Sequence, residues 1–210
     1  MQSSVLERVA WSSVPTQKQY RKMVMQVRGE LRGAIDLLAA GYIGPQEFAD
    51  IADEILTRGH TKAIGLGRHL AGDLRVNEIV DAQVASLAMD RQAEYLQNFA
   101  DKIAEGGYED EFGLLDKDKV ARRCDSYLHA MRGSANESFV GACGPDDLID
   151  WKTTTPNCPD CNAVQARGPF KASAMTQFPG DCQTRCLYAC DCYLVRRKDR
   201  RRGFGKLEFD

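Results

Sequence analysis

Apolar residues recur at three- and four-residue steps through the first two thirds of the chain. Tyr20, Met23, Val24, Val27, Leu31, Ala34, Ile35 and Leu38 form one such series, the signature of a helix with a single apolar face. Ser13 can cap it and Pro15 suits an early helical position, because proline has no amide hydrogen to leave unpaired. Gly41 and the Gly44-Pro45 pair stop it. A second helix is predicted from Pro45 towards Leu70, with Phe48, Ile51, Ala52 and Ile55 on one face. Gly59, Gly65 and Gly67 weaken it, each by about 1 kcal/mol relative to alanine, and mark either a close crossing or a break. A third helix is predicted from Val76 or Asn77 to about Ile103, its stripe reading Val80, Val84, Leu87, Arg91, Tyr95, Phe99 and Ile103, widened by Leu96 and ended by Glu105-Gly106-Gly107. A fourth runs from an Asp116 N-cap to about Arg132, with Val120, Cys124, Tyr127, Leu128 and Met131 on one side.

No strand-period alternation precedes residue 140, and no internal repeat is visible. After Gly141 the chain turns to Gly, Pro, Asp, Thr and Cys, which is loop and knuckle material. The expected fold is mainly α. A helical body of long amphipathic helices (1–140) is followed by a small cysteine-rich, zinc-knuckle-like region (141–195) and a basic C-terminal tail (196–210).

Composition narrows the function class. The 210 residues carry 28 Lys+Arg against 30 Asp+Glu, a net charge of −2, so the whole chain is not an electrostatic nucleic-acid binder. The hydrophobic fraction of 43% and the charged fraction of 28% are ordinary for a globular protein. No apolar run approaches the ~20 residues that span a bilayer. The opening MQSSVLERVAW lacks the charged-then-apolar layout of a signal peptide, so Sec-dependent secretion is not expected.

The eight cysteines change the picture more. Six fall between Cys158 and Cys192, and the first 120 residues have none. Such clustering points to metal. Cys158-Pro159-Asp160-Cys161 brings two thiolates from one tight turn within reach of one ion, at about 2.3 Å. A second pair from a distant turn completes a tetrahedron, and the metal then substitutes for a core in a short segment. Four later cysteines compete for two places. Cys190 and Cys192 are preferred, with Cys186 as the alternative ligand and zinc as the expected ion. Disulfides and free packed thiols are the competing states.

Catalytic templates fail. A redox Cys-x-x-Cys wants a preceding βαβ pattern, and a zinc deaminase wants an upstream His-x-Glu. His60, His69 and His129 offer neither and read as surface or packing residues. There is no Gly-x-Ser-x-Gly, Walker loop or His-Glu-x-x-His, so no enzyme is expected.

The order Trp151-x-x-…-Cys158-Pro159-Asp160-Cys161…Gly168-Pro169…Pro179-Gly180…Thr184-x-Cys186…Cys190-x-Cys192-x-Leu194 resembles the C-terminal portion of Mu-type minor head (head-morphogenesis) proteins of tailed bacteriophages. The helical stretch around Gln92, Tyr95, Leu96, Phe99 and Ile103, and the helix holding Arg122, Arg123 and Tyr127, is similar to helical regions of such proteins in a less specific way. Asp191 stands where that family usually has Arg, and Cys182 where Gly is common. The resemblance implies a minor capsid or head–tail-junction protein of the virion, present in the host cytoplasm during assembly. Its implied partners are the portal and/or major capsid protein and packaged DNA, with no membrane, in multiple copies of a symmetric assembly. The alternative is a cytoplasmic zinc-knuckle regulator that binds nucleic acid.

Both readings give the tail a role. From Tyr193 to Asp210 there are seven basic and three acidic residues, so this stretch carries +4 and the remainder −6. Arg196, Arg197, Lys198, Arg200, Arg201 and Arg202 are the expected contacts to DNA or to an acidic partner, on a flexible arm. With few apolar residues, the arm is expected to be dispensable for the core.

Overall fold

A computed structural model describes residues 17–75, 77–153, 158–187 and 190–204, the Arg91 side chain excepted. Four long helices come first: α1 (Gln17–Ala39), α2 (Pro45–Ala71), α3 (Glu78–Ala104) and α4 (Lys117–Gly141). The fold is mainly helical, as the apolar spacing requires. The expected cap Ser13 and Pro15 lie outside the described residues.

The eight predicted apolar positions of α1 are all buried. α2 packs against α1, α3 and α4, and α1 also lies on α4. Asn77 and Asp116 cap α3 and α4 by accepting from the backbone N–H of Val80 and Lys119. Phe99 joins the layers, with its ring 6.0 Å from Phe48, 5.0 Å from Tyr108 and 6.4 Å from Tyr127. Arg28 adds a two-pronged ion pair from α1 to Asp125 on α4, both bonds at 3.0 Å.

The α2 glycines mark a crossing, not a break. A Cβ on Gly67 would run into the Ala135 carbonyl of α4, and one on Gly59 would meet Met131. α4 runs past the expected end at Arg132, because Ala135, Asn136, Phe139 and Val140 continue its buried face. Gly133 is tolerated inside it because any side chain there would strike the backbone of Gly180 and Asp181.

α3 departs from its predicted face. Phe99 and Ile103 are buried, but Val80, Val84, Leu87 and Tyr95 are exposed. The inner face of its first half is Asp81, Ala85 and Met89. Asp81 is accepted there because Arg68 of α2 pairs with it at 2.5 Å. The stripe read from spacing alone is thus rotated by about one residue.

The region after Gly141 holds more regular structure than loop material. β1 (Leu148–Lys152) is the middle strand of a three-stranded antiparallel sheet, flanked by β2 (Phe170–Lys171) and β3 (Tyr193–Arg196). α5 (Pro159–Arg167) and a 3-10 turn (Ala172–Ala174) complete it. Trp151 and Leu194 pair across β1 and β3 and are buried in the same cluster as the helix core. Asn136 ties the two parts together. Its side chain, fully buried, donates to the carbonyls of Pro179 and Phe204 and accepts from the Phe204 N–H at 2.8 Å.

The basic segment is not a free arm within the described residues. Arg196 is 4% exposed, pairs with Asp199 and donates to the Ala71 carbonyl at the end of α2. Arg201 donates to Leu70 O and pairs with Asp199. These cations sit where the helix dipole favours positive charge. Arg197 grips Asp150, Lys198 reaches Asp147, and Arg202 lies 3.7 Å over the Tyr193 ring. Arg200, exposed at positive φ, stands at the turn. Phe204 is buried and stacks on Tyr20 of α1 at 4.7 Å. The stretch after Leu194 therefore contributes to the core. Two of its acidic partners, Asp147 and Asp150, lie far upstream, which is why composition alone read it as unbound.

Candidate metal centre

Three chain segments bring five thiols together. The first is the start of α5. Cys158 is its N-cap, and its sulfur accepts from the Cys161 N–H at 3.3 Å. Pro159 occupies the next position, where a missing N–H costs nothing. Cys161 follows one turn on and is fully buried. The second is the turn at Thr184–Leu187, closed by the Leu187 N–H on Thr184 O at 2.8 Å. It presents Cys186, with the Thr184 hydroxyl 3.2 Å from its sulfur. The third is the lead into β3, which carries Cys190 and Cys192, both buried.

Cys161 is the hub. Its sulfur lies 3.5 Å from that of Cys186 and 3.7 Å from that of Cys190. Four sulfurs around an ion at about 2.3 Å sit about 3.8 Å apart, so these separations match a thiolate tetrahedron. Two sets of three have all sulfurs within 4.8 Å: Cys158, Cys161 and Cys186, and Cys161, Cys190 and Cys192. The four preferred ligands are divided between these sets, Cys158 grouping with Cys186 and Cys190 with Cys192, and only Cys161 belongs to both. Cys124, Cys143 and Cys182 belong to neither set. Cys143 instead lies 3.6 Å from Arg196.

The electrostatics suit a cation. Burial pushes the Cys161 thiol well above its ordinary value, and its thiol neighbours push it further. The hydrogen bond to Cys192, followed by burial, raises Cys190. At Cys158 burial is outweighed by the Cys161 backbone N–H and neighbouring thiols, and the net shift is downward. A low-pKa cysteine at a helix start beside high-pKa ones is a thiol group that a metal would ionise as it binds. Arg132 supplies counter-charge. It is 2% exposed, its Nη2 donates to the Cys190 carbonyl, and its Nη1 has no partner among the described residues. Asp181 also feels its charge, and the remaining unbonded nitrogen is better accommodated beside an anionic metal–thiolate centre than beside neutral thiols. The donor set and this orphaned group both fit a thiophilic divalent ion.

Spacing missed the supports around the centre. Arg132 comes from α4, and Asp160 clamps the Cys186 turn by accepting from the Arg185 N–H at 2.9 Å. Neither has a sequence motif. The histidines stay outside. His60 is buried with Nδ1 2.8 Å from the Ser134 hydroxyl, and burial pushes its pKa down to about 4. His69 bonds to Gly65 O within α2.

No family model, curated protein or solved structure matches the chain.

Proposed function

We propose that this chain is a structural, non-enzymatic component of a tailed-phage particle, a minor head or head–tail-junction protein whose C-terminal region is closed by zinc. The observation that carries the reading is the convergence on Cys161. Among the positions on which the phage-family resemblance rests, Cys158, Cys161, Cys186, Cys190 and Cys192 gather around Cys161, with the Thr184 hydroxyl beside Cys186. Zinc is favoured because an all-thiolate donor set selects soft or borderline ions and a closed tetrahedral site is structural. Such an ion binds the region together and offers no open position for a substrate.

The regulator alternative draws less support. It relies on the basic tail being free for phosphate, and Arg196, Arg197, Lys198 and Arg201 of that tail are engaged by Asp147, Asp150 and Asp199. Portal or capsid subunits are the expected partners, and packaged DNA is left Arg200 and Arg202 as its nearest cations.

Mass spectrometry of purified particles tests the function, with detection at a fixed ratio to portal as the expected result. Absence from particles, together with nanomolar binding to a specific duplex, would establish the regulator instead. Elemental analysis of reduced, chelator-free protein should give about one zinc per chain. Metal-free protein with linked cysteines would refute the zinc centre.

A further inference from the structure

Two helix faces in the body are exposed and complementary. On α1 the outer side carries Lys18, Arg21, Lys22 and Arg32, with Met25 exposed among them and Asp36, paired with Lys117, at its C-terminal end. None of these four cations forms an ion pair among the described residues. Gly29 and Gly33 lie on the same side with open space above them, so another helix can approach the α1 backbone closely. The outer side of α3 is the opposite in character. Ile79, Val80, Val84, Leu87 and Tyr95 are exposed, the last two at 60%, with Asp90 and Glu94 along one edge and Arg91 at a position within the stripe. Asp90 also faces carboxylates of α2. Asp53 is pushed upward by burial and then by its neighbours Asp50 and Asp90, and among the described residues none of the three has a lysine or arginine ion pair.

An apolar face with an acidic edge is complemented by a basic face low enough for close approach, and the outer side of α1, with Gly29 and Gly33 open, is one. We infer that the chain associates with further copies of itself, α3 of one copy docking on α1 of the next. α1 and α3 both pack on α2 but form no packed interface with each other, so the two faces belong to different sides of the body. A contact between unlike faces is head-to-tail. It propagates from copy to copy and ends only when a ring closes. The basic face neutralises the Asp50, Asp53 and Asp90 group, and the glycines let the α3 side chains Val84 and Leu87 seat against backbone. This inference does not rest on the metal centre or on the phage reading, and each is tested separately.

The test is sedimentation of the zinc-replete, full-length protein, with two charge-reversal variants. One carries Lys18→Glu, Arg21→Glu and Lys22→Glu; the other carries Asp90→Lys and Glu94→Lys. The wild type is expected to form oligomers larger than dimers at low salt. They should weaken towards 1 M salt, where screening shortens the electrostatic range to about 3 Å. Each variant alone should associate roughly a hundredfold more weakly, since like charges then face each other. Mixing the two should restore assembly, because every unlike face again meets its complement. All substituted positions are exposed, and unchanged far-UV circular dichroism checks the fold. Should a reversal perturb it, Arg21→Gln with Lys22→Gln replaces the α1 variant, with the same expected direction. A wild type that stays monomeric at millimolar concentration overturns the proposal. So does an α1 reversal without effect, which would place the contact elsewhere, or a mixture that fails to recover.

Discussion

The helical body and the cysteine region are folded by different physics. In α1 every predicted core position is apolar and buried, and the helix ends are capped or stopped by ordinary backbone chemistry. Burial of those side chains, at roughly 25 cal/mol per Å², is sufficient reason for the body to hold together. The cysteine region has strands of two to five residues and one nine-residue helix. Elements so short are not stable alone. Polar ties, thiols and a buried arginine stand where a larger core would be. The contrast teaches that the helices are held by a wide apolar face, whereas the cysteine region adds only a few residues, Trp151, Leu194 and Phe204 among them, to the same core and gathers its thiols at one point.

With zinc at the thiols as proposed, its removal should break that contrast open. Structural zinc contributes on the order of 10 kcal/mol to small domains that fold around it. Cys161→Ser, or a strong chelator, should abolish zinc binding and expose the amides of β1, β3 and α5 to rapid hydrogen exchange. Those of α1 and α2 should stay protected. Uniform loss of protection across the chain would show that the body is conditional too.

Phe204 tests the seam from the other direction. Its ring is buried against Tyr20, so Phe204→Ala should cost about 3–5 kcal/mol in denaturant unfolding. An unchanged midpoint would return the segment to the status of a dispensable arm.

These two cases also show what was legible beforehand. The buried face of α1 could be read completely, because its eight core residues recur at helical spacing and face one way. α3 could be read only in its second half. Spacing cannot know that Asp81 goes inside to meet Arg68 while Leu87 stays outside. The Cys158–Cys161 pair was legible because its geometry is local. The choice among Cys186, Cys190 and Cys192 was not, since it depends on a turn held by Asp160 and on Arg132 from another helix. The basic stretch misled for the same reason. Asp147 and Asp150, which hold it down, lie about fifty residues upstream, and charge counted along the chain does not see them.

A smaller effect belongs to the body alone. His60 titrates at about 4 when folded, below its ordinary 6.5, because burial disfavours the charged ring. Between those values the unfolded chain binds more protons than the folded one. Stability should therefore fall as pH drops through 6.5 and level off below 4, by at most about 3 kcal/mol. His60→Gln should flatten that part of the profile in urea midpoints measured across the range. An unaltered slope would place the titrating group elsewhere.

The smallest effect is at a helix start. Asp116→Ala removes the acceptor for the Lys119 N–H and should cost about 1 kcal/mol, read as a modest drop in melting temperature with zinc content unchanged. A change in zinc content would tie the body to the metal more closely than the contrast allows.

The order of strands in the small sheet has a kinetic consequence. β1 is central, yet its partner β3 arrives only after the intervening helix and turns, with Lys152 opposite Tyr193. Bringing such distant residues together is slow, because the search cost grows with the length of chain between them. An ion held by Cys158 and Cys161 on one side and Cys190 or Cys192 on the other shortens that search to the few residues outside the clasp. For the metal-bound chain, β1 and β3 are then joined as closely as the arms of a hairpin. Zinc capture would set the rate of sheet formation as well as its permanence.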